Sequence, residues 1–437
     1  MRHLTLLFLQ GPASPFLKDL ARAAERRGAK VLKIHFCLGD AGFWWPRKAD
    51  WFTGRPAEWP DFLTRYVTEN GVTDIVMLGD GRPRHAAAVA VARHLRIKAH
   101  IFEHGYLRPD WLTLEPFGMS SKSCFPADAT SIRTLAEGQA DPPVDKRFAS
   151  SFLTYALYDL AFHIPNVMLG WLVHPHYRAH GAVHPLVEYA GWIGKALTVP
   201  WRSRSARRVE QRYRAGSPDF FLFPLQLPGD YQIRVHAPMG DLFKLVAAVI
   251  GSFARHAPLT TRLLFKVHPI DNGLSRWSTR IGQLARHHGV EGRIDLIDGG
   301  DLDSLIARSV GVVTVNSTVG LTALLAHKPV IALAPAVYDV AGLTHHASLA
   351  SFWQAPTPPE PDMPSVLVRA MARTIQVRGG LIGREAMQTG ADAMAQRLFE
   401  EVDLLPVDSP PDRSHFRYEA ELSIDASGAG TTRSGSV

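Results

Sequence analysis

The sequence predicts an α/β protein built from two Rossmann-like halves, the GT-B architecture, with two domains facing a cleft and helices at the C-terminal end. Three observations carry that expectation. Short apolar runs alternate with amphipathic helical stretches in both halves of the chain. Several of those runs end in Gly-containing turns crowded with polar groups, the pattern of ligand-binding edges in open α/β sheets. A chain of 437 residues also exceeds what one ordinary core organises.

Taken in order, residues 4–9 read as a strand, and Gln10-Gly11-Pro12 as a turn. Residues 16–27 form an amphipathic helix stopped by Gly28, and residues 31–36 a second strand, which makes a right-handed βαβ unit with parallel strands. A Gly- and Trp-rich loop, LGDAGFWWPRKADWFTG, follows. Then come a helix over 61–69, a strand over 74–78, a helix over 85–95 and a strand over 98–102 that delivers Glu103. The second half repeats the alternation without a sequence repeat. Strands are expected over 220–224, 262–267, 295–297, 312–315 and 329–333, helices over 239–257, 302–308 and 319–326, and late helices over 363–389. The expected division is 1–147 for an N-terminal Rossmann-like domain, 217–360 for a C-terminal Rossmann-like domain and 361–407 for C-terminal helices. Residues 408–437 form a polar Ser/Gly/Thr-rich tail, expected to be disordered.

Between the halves, residues 148–216 change character. Aromatic, Leu and His residues fill a segment read as helices interrupted at Pro165, Pro175 and Pro185, followed by WRSRSARRVEQRYRAG with six arginines. An inter-domain helical pack is one reading; an interfacial element that contacts lipid is the other. The N-terminal MRHLTLLFLQGP has too short an apolar run for a signal peptide and reads as a first strand. No stretch reads as an uninterrupted bilayer span. The expected location is cytoplasmic, peripheral on a membrane surface.

Composition narrows the function. Hydrophobic residues at 46% and charged residues at 20% describe a folded globular chain. A formal charge of +7 suits acidic ligands, nucleotides or an anionic surface, and no nucleic-acid-binding motif accompanies it. Cys37 and Cys124 lack metal-type spacing, no GxxxxGK[ST] loop occurs, and neither an essential metal nor a bound cofactor is expected. The densest chemistry lies in HIFEHGYLRPDWLTLE, which holds Glu103, His104, Arg108, Asp110 and Glu115. A charged, merely solvated loop competes with a catalytic one there. In the second half, His268-Pro269 after one strand and Asn316-Ser317-Thr318 between a strand and a helix make an anion site. Plain helix capping by one hydroxyl is the competing reading. Arg82, Arg84, Arg108 and Lys266 are candidate contacts for a phosphate or carboxylate. Trp44, Trp45 and Trp51 stack on sugar or belong to the core.

FLQGP, LGDAGFWW, LGDGRPRH, EHGYLRPDWLTLE, FPLQLPGDYQIRVHAP, KVHP and NSTVGLTALLAHKPVIAL occur in that order. Together they resemble the capsule polysaccharide β-Kdo transferases of the KpsS type, over roughly residues 5–125 and 219–345. The resemblance implies a metal-independent, retaining GT-B enzyme that moves Kdo from CMP-Kdo to lyso-phosphatidylglycerol and so starts the lipid linker of a capsule. It also implies a companion KpsC-type transferase, the capsule export machinery and the inner face of the inner membrane as partners. His268 and Pro269, with Lys266, Asn316, Ser317, Thr318, Gln226 and Asp230, fall on the donor side. Asp40, Asp80, Arg82, Tyr106 and Arg108 fall on the substrate side. Glu103 matches the acidic residue of the family's E-[DE]-G turn, whereas His104 stands where a second carboxylate is usual. The catalytic carboxylate is then Glu103, or another acid such as Asp80 or Asp230, with His104 a general base or an orienting partner. Two alternatives stay open: a transferase using a CMP-sialic acid or a UDP-sugar, and a non-catalytic capsule assembly or export factor.

Overall fold

The computed structural model describes residues 3–143, 145–149, 151–178, 183–214, 218–400, 405–406, 410–413, 418 and 422. The chain opens with β1 (Thr5–Phe8), α1 (Phe16–Glu25), β2 (Lys30–His35), α2 (Leu38–Trp44), β3 (Asp50–Trp51) and α3 (Trp59–Asn70). It continues through β4 (Asp74–Leu78), α4 (Pro83–Leu95), β5 (Lys98–His104), β6 (Trp111–Pro116) and α5 (Ala129–Ala136). Three helices follow, α6 (Phe152–Val173), α7 (Pro185–Leu197) and α8 (Val199–Arg214). The second half runs β7 (Phe220–Pro224), α9 (Tyr231–Arg234), α10 (Leu242–His256), β8 (Arg262–Lys266), α11 (Trp277–His287), β9 (Ile294–Ile297) and α12 (Leu302–Arg308). It ends with β10 (Gly311–Thr314), α13 (Thr318–Leu325), β11 (Val330–Ala332), α14 (Leu349–Gln354), α15 (Met363–Thr374), β12 (Gln376–Arg378) and α16 (Arg384–Phe399).

Two compact units result, each built on a largely parallel sheet, which is the α/β class expected. The first contains residues 1–126, 131–180 and 367–412; the second contains 127–130, 181–366 and 413–437. Sheet order in the first unit is β12-β6-β5-β4-β1-β2-β3, with β6 alone running antiparallel to both its neighbours. Its central strand β1 is apolar on both faces because helices cover both. Leu6 and Phe8 join the layer with α1 and α16, while Leu7 and Leu9 join the layer with α3 and α4. The second unit has the all-parallel order β11-β10-β7-β8-β9. Phe221, Phe223 and Leu225 pack there against α10 and α14, and Phe220 lies against Tyr213 of α8 with ring centroids 4.2 Å apart.

Several local expectations fail for physical reasons. The Gly- and Trp-rich loop contains α2, whose Gly39 approaches the backbone of α6 so closely that a Cβ would lie 2.2 Å from the Phe162 carbonyl oxygen. Pro165 does not break α6; the Asn166 amide donates to the Phe162 carbonyl at 2.8 Å in that turn. Residues 148–216 form no unit of their own, since α6 belongs to the first unit and α7 and α8 to the second. The late helices divide as well: α16 packs on α1, and β12 interrupts the predicted helical run by pairing with β6. By length and composition, α6 is long and apolar enough to cross a membrane, with a mean hydropathy of 1.2, contrary to the expectation that no stretch qualifies. Its Tyr, His, Thr and Asn residues conceal this in the sequence, but Asp159 is its only Asp, Glu, Lys or Arg. The tail is not wholly unstructured: Arg413, Tyr418 and Leu422 are buried, and the Tyr418 hydroxyl donates to the His345 carbonyl at 2.8 Å. Most of the tail lies outside the described residues.

Candidate active site

Strand order locates a ligand edge in each unit. In the first, the chain lays down β1, β2 and β3 in one direction, returns to the other side of β1, and lays down β4, β5 and β6 the opposite way. The reversal falls between β1 and β4, and ligands of open α/β sheets bind beyond the carboxyl ends of the strands at such a point. The loop after β1 supplies Gln10 and Gly11; the loop after β4 supplies Gly79, Asp80, Gly81 and Arg82. Gly79 has φ +63°, which a side chain would oppose. Asp80 is buried with its carboxylate 3.6 Å from the Lys122 ammonium. Arg82 precedes the first turn of α4, and its buried Nη1 has no hydrogen-bond partner among the described residues.

Behind this edge lies a polar cluster that sequence reasoning missed. The Lys33 ammonium donates to the Asp40 carboxylate at 2.5 Å and to the carbonyls of Leu9 and Ile34 at 2.9 and 3.2 Å, so its three protons meet three acceptors. His35 Nδ1 stands 3.1 Å from Asp40, and the Gly11 amide donates to the same carboxylate at 3.4 Å. Burial pushes the Asp40 carboxyl up, but the Lys33 charge and the His35 bond outweigh it and hold it at about 2. Burial also lowers Lys33 and His35. Asp40, expected to contact substrate, therefore ties the turn after β1 to β2 and acts through position. Lys33 and His35 stand at i and i+2 of β2 and share one face. Charges at that spacing inside an otherwise apolar strand were the available signal. His85 in α4 feels the Lys33 charge: its Nδ1 lies 2.9 Å from the carbonyls of Leu78 and Gly79, and desolvation holds it neutral with a pKa of about 3.

The predicted loop after residue 102 is a β-hairpin. Strand β5 runs on to His104 because β6 pairs with it, Glu103 opposite Thr113 and His104 opposite Leu112. Neighbouring residues of a strand leave opposite faces of the sheet, so Glu103 and His104 point away from one another, although the Arg108 charge reaches both. The Glu103 carboxylate stands over Gly79, 4.0 Å from where a Cβ would lie, and its charge acts on Arg108. His104 keeps solvent access, yet desolvation by surrounding protein and the nearby Arg108 lower it to about 4. The Tyr106 hydroxyl is occupied: it donates to Glu115 at 2.9 Å and accepts from the Ser120 amide at 3.3 Å. Asp110 accepts from the amides of Arg147 and Phe148. Trp44 is core, Trp45 is exposed, and Trp51 stacks on His174 with centroids 4.9 Å apart. Arg84 lies over the rings of Phe36, Phe52 and Tyr177.

In the second unit the reversal falls between β7 and β10. The loops after those strands are tied by Gln226, whose amide donates to the Asn316 side-chain oxygen at 3.0 Å and accepts from the Asn316 backbone at 3.4 Å. Asn316 in turn donates to the Gln232 carbonyl at 3.1 Å. Ser317 caps α13 by accepting from the Val319 amide at 3.2 Å, while among the described residues the Thr318 hydroxyl has no hydrogen bond. A helix N-terminus, one capping hydroxyl and a second hydroxyl at a switch point form an anion cradle. The loop after β8 brings His268 and Pro269 to the same edge. The Ile270 amide donates to His268 Nδ1 at 3.3 Å, which puts the proton of a neutral ring on Nε2. Lys266 is buried and donates to the Gly299 carbonyl at 2.7 Å, so it braces the loop after β9. Asp230 caps α9 through the Gln232 amide at 2.9 Å, and burial raises its carboxyl. Replacing Ser317 with Ala is expected to cost about 1 kcal/mol in chemical denaturation through the lost cap.

Among the described residues no group of three or more His, Cys, Asp or Glu side chains is arranged to hold a metal ion. The family of capsule polysaccharide biosynthesis proteins matches over residues 73–381. The capsule polysaccharide modification protein LipB of Neisseria meningitidis serogroup B (strain ATCC BAA-335 / MC58) is 33% identical over 372 residues, covering 82% of this chain and 87% of its own. The capsule polysaccharide export protein KpsS of Escherichia coli is 30% identical over 371 residues, covering 81% of this chain and 90% of its own. Among solved structures, the β-Kdo 2,7 transferase of KpsC from Thermosulfurimonas dismutans superposes with a TM-score of 0.40 at 15% identity, covering 91% of this chain and 98% of that one. With a family match over most of its length and these relatives, the chain belongs to the capsule polysaccharide biosynthesis protein family.

Proposed function

We propose that this protein is a retaining β-Kdo transferase that moves Kdo from CMP-Kdo to a lyso-phosphatidylglycerol acceptor and so initiates the lipid linker of a capsule polysaccharide. The observation that carries the reading is the switch point of the second unit, where the α13 N-terminus, Ser317, Thr318 and His268 share one edge. Such an edge suits the phosphate of a nucleotide sugar, and relatives named for capsule polysaccharide modification and export fit a role in that assembly. The α13 dipole and the hydroxyls hold the phosphate, and His268 Nε2–H donates to the oxygen that departs with CMP.

Glu103 attacks the anomeric carbon in the first displacement. The carbon–carboxylate bond forms as the carbon–phosphate-oxygen bond breaks, and CMP leaves with the electron pair. The acceptor hydroxyl then attacks the same carbon and displaces Glu103 as its carboxylate, the hydroxyl proton passing to solvent water, so two inversions retain configuration. No step needs a metal ion. With a lipid acceptor the reaction belongs on the inner face of the inner membrane, beside a KpsC-type companion transferase and the export machinery. The test is CMP release from CMP-Kdo with and without a fluorescent lyso-phosphatidylglycerol, in EDTA. Acceptor-dependent release, with a product heavier by one Kdo, is expected. Release only from a CMP-sialic acid or a UDP-sugar, or from no nucleotide sugar by folded protein, overturns the reading.

A further inference from the structure

Helix α6 is apolar on the side that a folded protein normally makes polar. Leu153, Leu157, Ile164, Met168, Trp171 and Leu172 are all exposed, from 45% at Ile164 to 67% at Leu153 and Trp171. With the exposed Ala161 between them, they recur at intervals of three and four residues and form one stripe along the helix. The opposite side is where α6 meets its own unit. Asn166 accepts from the Gly39 amide at 3.1 Å, Tyr158 meets Phe43 edge-on at 5.5 Å, and Phe162 and Gly170 are buried. A helix held along one side in this way lies against its unit and presents the other.

The second unit carries a surface of the same composition. In α7, Leu186, Ile193 and Leu197 are exposed at 59%, 64% and 71%, and Trp201 at 67% begins α8. The arginines of α8 divide into two sets. Arg202 and Arg212 are paired, with Asp298 at 2.5 Å and Asp295 at 2.6 Å. Arg204, Arg207 and Arg208 are exposed and have no carboxylate partner among the described residues. Glu210, the one acid of α8, accepts from the Asp301 amide at 2.8 Å and so is engaged with the unit.

We infer that the α6 stripe of the first unit and the outer side of α7 and α8 of the second each dock on an anionic phospholipid bilayer, with the apolar side chains in the acyl boundary and Arg204, Arg207 and Arg208 on lipid phosphates. Exposed Leu, Ile and Met in register, tryptophans near helix ends, and guanidiniums without protein counter-charges are the features of a helix lying in a membrane interface. Charge complementarity selects an anionic surface. The inference deepens the proposed function by naming the surface that brings the enzyme to its lipid acceptor. It rests on that reading for the acceptor alone, and binding is measurable without turnover.

Flotation of the full chain with phosphatidylcholine vesicles, with and without phosphatidylglycerol, tests it. The wild type is expected to float with the phosphatidylglycerol vesicles and to lose binding as salt rises. Combining Arg204→Glu, Arg207→Glu and Arg208→Glu is expected to weaken partition by about 100-fold or more. Combining Leu157→Ser, Met168→Ser and Trp171→Ser is expected to abolish flotation with an unchanged thermal midpoint, because those side chains contribute little to the core. Both variants keep CMP release on a short-chain acceptor dissolved as monomer, which separates lost docking from lost catalysis. Wild type that stays off anionic vesicles at low salt overturns the inference, as do variants that float like wild type. Concentration-dependent self-association removed by the α6 variant also overturns it, because the stripe is then a protein interface.

Discussion

Replacing Glu103 with Gln is expected to reduce acceptor-dependent CMP release by about 1,000-fold or more while the protein stays folded. The substitution keeps the shape of the side chain and removes only the charge and the nucleophilic oxygen. Glu103 sits near the end of β5, partly exposed over Gly79, so the substitution disturbs little packing. The matched control is His104→Gln. His104 leaves the opposite face of the same strand, so its loss is expected to cost far less. A transferase whose rate survives Glu103→Gln places the nucleophile elsewhere, and Asp80 at the neighbouring switch point is then the carboxylate to test. A chain that releases no CMP from any nucleotide sugar, yet supports capsule export equally well after Glu103→Gln, is an assembly factor.

Replacing Lys33 with Met is expected to cost about 3–5 kcal/mol of stability, because it leaves the Asp40 carboxylate buried without its counter-charge. The pH dependence carries a second, signed expectation. In the wild type the folded Asp40 carboxyl titrates at about 2, below its ordinary 3.8. That group adds stability above the ordinary value and loses it as pH falls from about 3.8 towards 2. Without Lys33, burial is the dominant influence and raises the folded pKa above the unfolded one. The contribution then reverses: it is present in acid and lost as pH rises through the new folded pKa. Thermal midpoints of both proteins across pH 3–7 should therefore converge at the acid end. A deficit that stays constant with pH means that lost packing, and not the buried charge, accounts for the cost.

Much of the fold was legible because burial on both faces writes strands as continuous apolar runs. Leu6 to Leu9 and Phe220 to Phe223 could be read that way, and the polar turns after them marked the carboxyl edges of two parallel sheets. What failed was whatever depends on a distant partner. Strand β6 looks like a charged loop until β5 and β12 pair with it, and β12 is too short to show a period. Pro165 looks like a helix end until Asn166 and the contact with α2 hold the turn.

For the site, residue types alone pointed to His268, Ser317, Thr318 and Glu103, since a helix N-terminus with hydroxyls or an acid at a strand end is a local pattern. The tertiary structure decided which of the other candidates face a ligand edge and which brace it. Asp40, Lys266 and Tyr106 have the same side chains in either role. Only their partners, Lys33, the Gly299 carbonyl and Glu115, show that each also holds a neighbouring segment in place. The sequence by itself determined the α/β class, the ligand edges and the capsule family. The structure decided the two topological switch points, the opposite faces of Glu103 and His104, and the outward turn of the α6 apolar stripe. Local periodicity records whether a residue is apolar or polar, but the face it takes and the partner it meets depend on chain segments far away in sequence.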